Sequence, residues 1–465
     1  MLNSLWVTLG LLGCGDKKSG DTGVVSVEPS DDIEELIEEN DFQSDENLYS
    51  FQNIADEETV AYSGQVFRHL LINDVKAYLE ALEIRLNTEV VSPGDVSTDL
   101  RFYFQDIKDI DVSMVPHQFY SGAFGLLQSS YGDVSSGKNL FEKIAGADTV
   151  TDHRDWQSEF VGWDDERITS PESLVLHWTE ALDAQATNWT ELSTQVPKVY
   201  VSPDGLDYSQ LLRTFLLGAV AFSQGTDDYL DDDVDGKGLL SSHIPVEGQP
   251  YSDLEHAWDE GFGYFGAARD YSLWSDEDLD AASYADRNED GMIDLKTEVS
   301  WGHSRDAGQR DLGSNFETDF TLQAWGAFWR GRRLLHDTVG AELTEEQLTE
   351  LTVYRDEAVS AWEKVIVANV IHYLNQTLQD IDNDVELYQL ASDWSQMKGF
   401  ALSMQFNPHS PLQSEGFSDI HNMIGMHPER TSDYMAVLVQ VRELLVEVYR
   451  IEATNIGDAN GENGW

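Results

Sequence analysis

The sequence predicts a mainly α-helical fold, a multi-helix bundle with a long Asp/Gly-rich insertion that carries a calcium-like loop. Three observations lead there. Apolar residues recur every three or four positions through most of the chain from Tyr62 onward, residues that start helices stand where those stripes begin, and alternating strand patterns are scarce. At 465 residues with 41% hydrophobic content, the chain can bury a large core.

Taken in order, the chain opens with a short apolar run over residues 5–12, ending in Leu11-Leu12-Gly13-Cys14 and followed by polar Gly15-Asp16-Lys17-Lys18. This looks like a bacterial lipoprotein signal, which implies removal of residues 1–13 and lipidation of Cys14. The run is too short to span a bilayer as a helix, and Cys14 is the only cysteine, so no disulfide can form within the chain. Residues 14–58 are rich in Asp, Glu, Ser and Gly and poor in aromatic side chains, the composition of a disordered acidic tether.

Residues 59–453 are expected to fold as the helical domain. Phe67, Leu71, Val75, Tyr78 and Leu82 form one core-facing stripe, and Tyr434, Leu438, Val441, Leu445 and Val448 another. Ser170-Pro171 fits an N-cap with proline at the first helical position, and Thr344-Glu345-Glu346-Gln347 fits a capping box. Roughly ten to twelve helices follow from these signals. Residues 198–201 make the best of a poor set of strand patterns. Within residues 227–311, Gly, Asp and Ser crowd together and helical periodicity is broken except over residues 253–265, the pattern of a loop-rich insertion. Residues 454–465 read as a disordered tail.

Charge sets strong limits on partners. The chain carries 86 acidic against 28 basic side chains, a formal net charge of -58, which repels nucleic-acid phosphates and anionic headgroups alike. Nucleic acid is therefore excluded as a partner, and membrane association is expected to run through the lipid on Cys14. So acidic a surface suits a saline or cation-rich medium, or is partly devoted to holding cations.

Two motifs carry metal chemistry. Asp286, Asn288, Asp290 and Asp294 place oxygen ligands at the first, third, fifth and ninth positions of a calcium loop. Gly291 occupies the sixth position, where a sharp turn is needed, and Met292 offers its carbonyl at the seventh. Thr297 holds the twelfth position and Glu298 the thirteenth, so Glu298 closes the site only if the loop is one residue longer than usual. Ca2+ is the expected ion, in a structural role. The second motif is Glu255-His256-Ala257-Trp258-Asp259-Glu260, where on a helix His256 and Glu260 share one face and Glu255 and Asp259 another. Imidazole with carboxylate suits iron, zinc or manganese, and Trp258, Phe262 and Phe265 mark an apolar stripe from which the acidic face is expected to turn away. Asp231-Asp232-Asp233-Val234-Asp235-Gly236 begins with the calcium spacing but loses the later ligands, as a solvated charge run does. No His-Glu-x-x-His, Gly-x-Ser-x-Gly or phosphate-binding glycine loop occurs.

Tyr62-Ser63-Gly64-Gln65, residues 258–266, the Asp286 loop leading to Arg305-Asp306-Ala307, and residues 394–401 together resemble the bacterial lipoprotein family called domain of unknown function 4856. That family looks like a relative of the imelysin group, helical envelope proteins linked to iron acquisition and first described as peptidases. The resemblance implies an imelysin-like bundle of paired helices around a central cleft. The imelysin pattern Gly-x-His-x-x-Glu is interrupted here, because Gly425-Met426-His427 is followed by Arg430 where the glutamate would stand.

The expected function is that of a cell-envelope lipoprotein, at the outer membrane or cell surface rather than the inner membrane. It would bind a metal ion or metal-bearing small ligand, with residues 255–260 lining the site. The alternatives are a metal-assisted hydrolase or peptidase with Glu260 or Glu255 as base and His256 as ligand, and a non-catalytic surface or adhesive protein.

Overall fold

The structure, a computed structural model, describes residues 48–465 apart from Glu89 and Gln413. The expected signal (1–13), Cys14 and the expected tether as far as residue 47 lie outside the described residues. Helix accounts for 56% and strand for 4%. Among the described residues eleven helices run nine residues or longer. They are α1 (Ser63–Leu86), α2 (Asp95–Phe104), α3 (Pro171–Thr187), α4 (Tyr208–Leu216), α5 (Asp253–Phe265), α6 (Gly302–Leu312), α7 (Phe320–Thr338), α8 (Glu345–Asp382), α9 (Leu387–Ser403), α10 (Ser414–Ile424) and α11 (Ser432–Tyr449).

Local sequence explains where the helices begin. Ser170 and Ser173 cap α3 reciprocally with Pro171 at its first turn, and Thr344 with Gln347 does the same for α8. The α1 stripe buries Phe67, Leu71, Val75 and Leu82, and the α11 stripe buries Tyr434, Leu438, Val441 and Leu445. At 38 residues, about 57 Å, α8 is the longest helix, and its middle is buried on every side from Val365 to Ile371. It lies between α7 and α9. The α9 helix in turn meets α4 so closely that a Cβ on Gly399 would stand 1.9 Å from Thr214 Oγ1. Beyond α4 the helix continues as two π-helical turns, Leu217–Phe222 and Gly225–Tyr229, which deliver Asp227 to the candidate site.

Three expectations are corrected. Residues 48–58 are not tether, because Tyr49 stacks on Phe262 at 3.8 Å and Phe51 is buried. Nor are residues 454–465 a free tail. Trp465 is buried and donates its indole N–H to the Arg310 carbonyl at 2.9 Å, while Asn375 donates to the Trp465 carbonyl at 3.0 Å. In both stretches the average composition is polar, and one or two aromatic side chains supply the burial that orders them. The third correction is α6, a full helix inside the expected loop-rich insertion. Its inward face carries His303, Asp306, Arg310 and Asp311 beside Ala307, so it presents no apolar stripe to be read.

Strand is confined to short pieces. Residues 125–126 (β1) pair in parallel with Met292–Ile293 (β2), in register Gly125 to Met292 and Leu126 to Ile293. Residues 198–201 contribute only an isolated antiparallel bridge between Val201 and Asp207. No helix among the described residues is long and apolar enough to cross a membrane.

Candidate metal site

The helix expected to line a transition-metal site divides into two functions. Ser252 caps α5 reciprocally with Glu255, which fixes the helix start and turns the Glu255 carboxylate inward. There Arg332 of α7, itself 0% exposed, donates to Glu255 Oε1 and to Asp259 Oδ1, each at 2.8 Å. Tyr49 also donates to Asp259 at 3.0 Å, and Arg332 reaches Thr59 at 2.7 Å. Burial pushes the Asp259 carboxyl up to about 6 against the opposing pull of Arg332. These two carboxylates are therefore neutralised within the core and not offered to a metal, which corrects the expected orientation of the acidic face. His256 and Glu260 do share the outer face, 3.8 Å apart, but His256 stacks on Tyr251 and Glu260 accepts from Gln65 at 2.8 Å. His427 sits in an exposed loop after α10.

The calcium-like loop is closed by its own hydrogen bonds, while among the described residues its carboxylates do not belong to the groups that gather closely enough to hold an ion. The Asp290 and Gly291 amides both donate to Asp286, and Asp290 Oδ1 accepts from the Met292 amide at 2.8 Å. Asn288 Oδ1 accepts from the Asp290 amide at 2.9 Å. Gly291 takes the left-handed conformation, φ +81°, that the turn requires. Glu298 folds back onto the loop, accepting from the Asp294 amide at 2.9 Å. Burial raises its carboxyl, and the charges of Asp286 and Asp290 raise it further, so the loop carboxylates bear on one another. Gln128 clamps the loop to the β1 segment, donating to Asp294 and accepting from the Leu295 amide, both at 2.9 Å.

A third cluster assembles residues that the sequence scatters. His153 Nδ1 donates to Asp227 Oδ1 at 2.5 Å, which leaves Nε2 facing Asp231 Oδ1 at 3.8 Å and Asp233 Oδ2 at 3.6 Å. His409 Nε2 lies 3.3 Å from the same Asp231 oxygen. A metal with four tetrahedral bonds of about 2.1 Å keeps its ligand atoms about 3.4 Å apart, and two sets of ligand atoms gather on that scale, His153 with Asp231 and Asp233, and His409 with Asp231 and Asp232, joined at Asp231. Asp232 also faces Arg355, 3.6 Å away. Gly238, at φ +49°, lets the following loop close over Asp231, since a Cβ there would stand 2.2 Å from the Asp231 carbonyl oxygen.

Electrostatics in this cluster are those of crowded ligands. The hydrogen bond to Asp227, helped by the charges of Asp231 and Asp233, lifts His153 to about 9 against burial. Burial would raise Asp231, but hydrogen bonds from His409 and Asp233 hold it below the ordinary range, while sharing with Asp231 lifts Asp233 to about 6. Burial, then the Asp227 charge, pushes Asp152 up to about 7. The sequence shows the Asp231 run but not its partners. His153 and Asp227 are 74 residues apart, and Asp231 and His409 are 178 apart.

Fold and cluster together define a helical protein in which two histidines and neighbouring carboxylates gather around Asp231 closely enough to hold a metal ion. The chain belongs to the family described as Domain of unknown function (DUF4856), whose model matches residues 135–422, more than half of the chain and inclusive of every residue of that cluster. No curated protein and no solved structure matches it.

Proposed function

We propose that this chain is a lipid-anchored cell-envelope protein that binds a divalent transition metal, iron, zinc or manganese, or a small ligand bearing one. The ligands in this reading are His153, Asp231 and Asp233, with His409 on the same Asp231 carboxylate. The observation that carries the reading is the Asp227–His153 pair. A carboxylate holding Nδ1–H leaves Nε2 as the atom that would bind the ion once the ion displaces its proton, the arrangement that supports metal-bound histidines in general. An imelysin-like cleft and anchorage through Cys14 belong to the same proposal and rest on the sequence resemblance. Calcium in the loop at residues 286–298 is its structural companion, supported by the inward turn of Glu298.

Metal analysis of the purified chain tests this. About one equivalent of transition metal is expected, lost in His153→Ala and in His409→Ala, with affinity about 10–100-fold weaker in Asp227→Asn. Retention of full metal content in the histidine variants would refute the site. A second reading, metal-assisted hydrolysis, is favoured by Asp152, whose buried Oδ2 has no hydrogen-bond partner and whose pKa, raised to about 7, suits a group that would pass protons to and from a metal-bound water. Turnover of peptide or ester substrates that disappears in Asp152→Asn while metal is retained would select it.

A further inference from the structure

In a chain with 58 more negative than positive formal charges, every buried cation is expected to find a carboxylate. Arg332 does so twice. Arg310 does not. It projects from α6 with 8% of its surface exposed, its Nε has no hydrogen-bond partner, and among the described residues no carboxylate comes within ion-pair distance. One helical turn earlier lies Asp306, also buried, with Arg213 of α4 at 3.8 Å from its Oδ1 and its Oδ2 without a partner. The guanidinium of Arg213 makes no hydrogen bond among the described residues, and Lys76 of α1 adds a further positive charge to the same place. An unpaired buried guanidinium is costly unless something supplies the missing acceptors.

A neutral donor stands with them. His303 Nδ1 accepts the Trp362 indole N–H at 2.9 Å, and an indole only donates, so the imidazole proton is on Nε2. That Nε2–H is buried and has no partner. Phe400 packs against the His303 ring on one side and stacks on Tyr373 on the other, giving the place an aromatic wall. The charges of Arg213, Arg310 and Lys76 all bear on the buried Asp306 carboxyl, and that of Arg213 bears on His303 as well, so the unpartnered Arg310 Nε, Asp306 Oδ2 and His303 Nε2–H belong to one cluster between α4 and α6.

We infer that this cluster between α4 and α6 is a binding site for a small oxyanion, a carboxylate or phosphate group. Arg310 and Arg213 are its charged partners and His303 Nε2–H a further donor. Guanidinium forks match the paired oxygens of such groups, and Asp306 Oδ2 is left to accept from a hydroxyl on the same molecule. The site is independent of the metal cluster, shares no residue with it, and stands whether or not that cluster binds an ion.

The test is calorimetric titration of the full chain with inorganic phosphate and with malate, against sodium chloride at matched ionic strength. Saturable binding of phosphate, of malate or of both is expected, and which of them binds assigns the source of the oxyanion. Arg213→Gln, which removes the charge but keeps a donor toward Asp306, is expected to weaken binding about tenfold or more. Arg101→Gln, a surface cation paired with Asp106, is expected to leave it unchanged. No saturable binding by the unmodified chain, equal affinity in Arg213→Gln, or equal weakening by Arg101→Gln would each overturn the inference.

Discussion

Arg332 shows how single residues decide this core. Its guanidinium joins the segment before α1, through Thr59, to α5, through Glu255 and Asp259, and it packs its charge against the Phe51 ring. Removing it leaves two buried carboxylates unpaired. Arg332→Ala is therefore expected to cost about 3–5 kcal/mol, read by urea unfolding with circular dichroism. A loss below about 1 kcal/mol would show that the carboxylates find another partner. The same residue explains a misleading sequence pattern. Spacing places Glu255 and Asp259 on one helix face, and it does so correctly, but whether that face meets solvent or a buried arginine depends on α7, more than seventy positions further on.

At the scale of elements, legibility followed the distance between partners. Capping boxes and stripes are local, so the starts of α3 and α8 and the buried faces of α1 and α11 were readable. The calcium-like loop was readable because its candidate ligands are nearly contiguous. The cluster of His153 and His409 around Asp231 was not, because its members come from three stretches of chain, one of them reached through π-helical turns that no apolar period announces. The α6 helix was missed because its buried face is polar. The loop itself makes a separate prediction. Calcium is expected to raise the melting temperature of the chain and chelation to lower it, and Glu298→Gln is expected to remove most of that difference while leaving transition-metal content intact. Scanning calorimetry with and without calcium checks it, and an equal calcium response in Glu298→Gln would remove Glu298 from the site.

For the whole molecule, acidity reaches inward as well as outward. Burial, and then neighbouring carboxylates, lift Asp276 and Asp380 to about 7. A carboxyl whose folded pKa lies above its unfolded one stabilises the fold below the unfolded value, near 4, and loses that contribution as pH rises through about 7. Buried neutral histidines act in the opposite sense. His69, lowered to about 4, and His303, lowered to about 3, stabilise the fold above about 6.5 and lose that contribution as pH falls. From about pH 4 to 6.5 the two sets oppose one another and nearly cancel, so the melting temperature is expected to change little there and to rise as pH is lowered from about 8 to about 6.5. Asp380→Asn, which keeps a donor facing Asp393, is expected to flatten the alkaline side. A melting temperature that climbs steadily toward pH 8 would contradict this account.

The docking of Tyr49 and Thr59 has a consequence for how load and folding order are shared. Tyr49 meets Asp259 across 210 residues and Thr59 meets Arg332 across 273, so the first described stretch of chain cannot settle until much of the bundle exists. It is a late-closing latch in a topology rich in long-range pairings, and such pairings slow folding. Once closed, it is also the mechanical entry point. A pull on the residues preceding Leu48 falls first on the stacked Tyr49 and Phe262 rings and on the Tyr49–Asp259 bond, before the α8 axis feels any force.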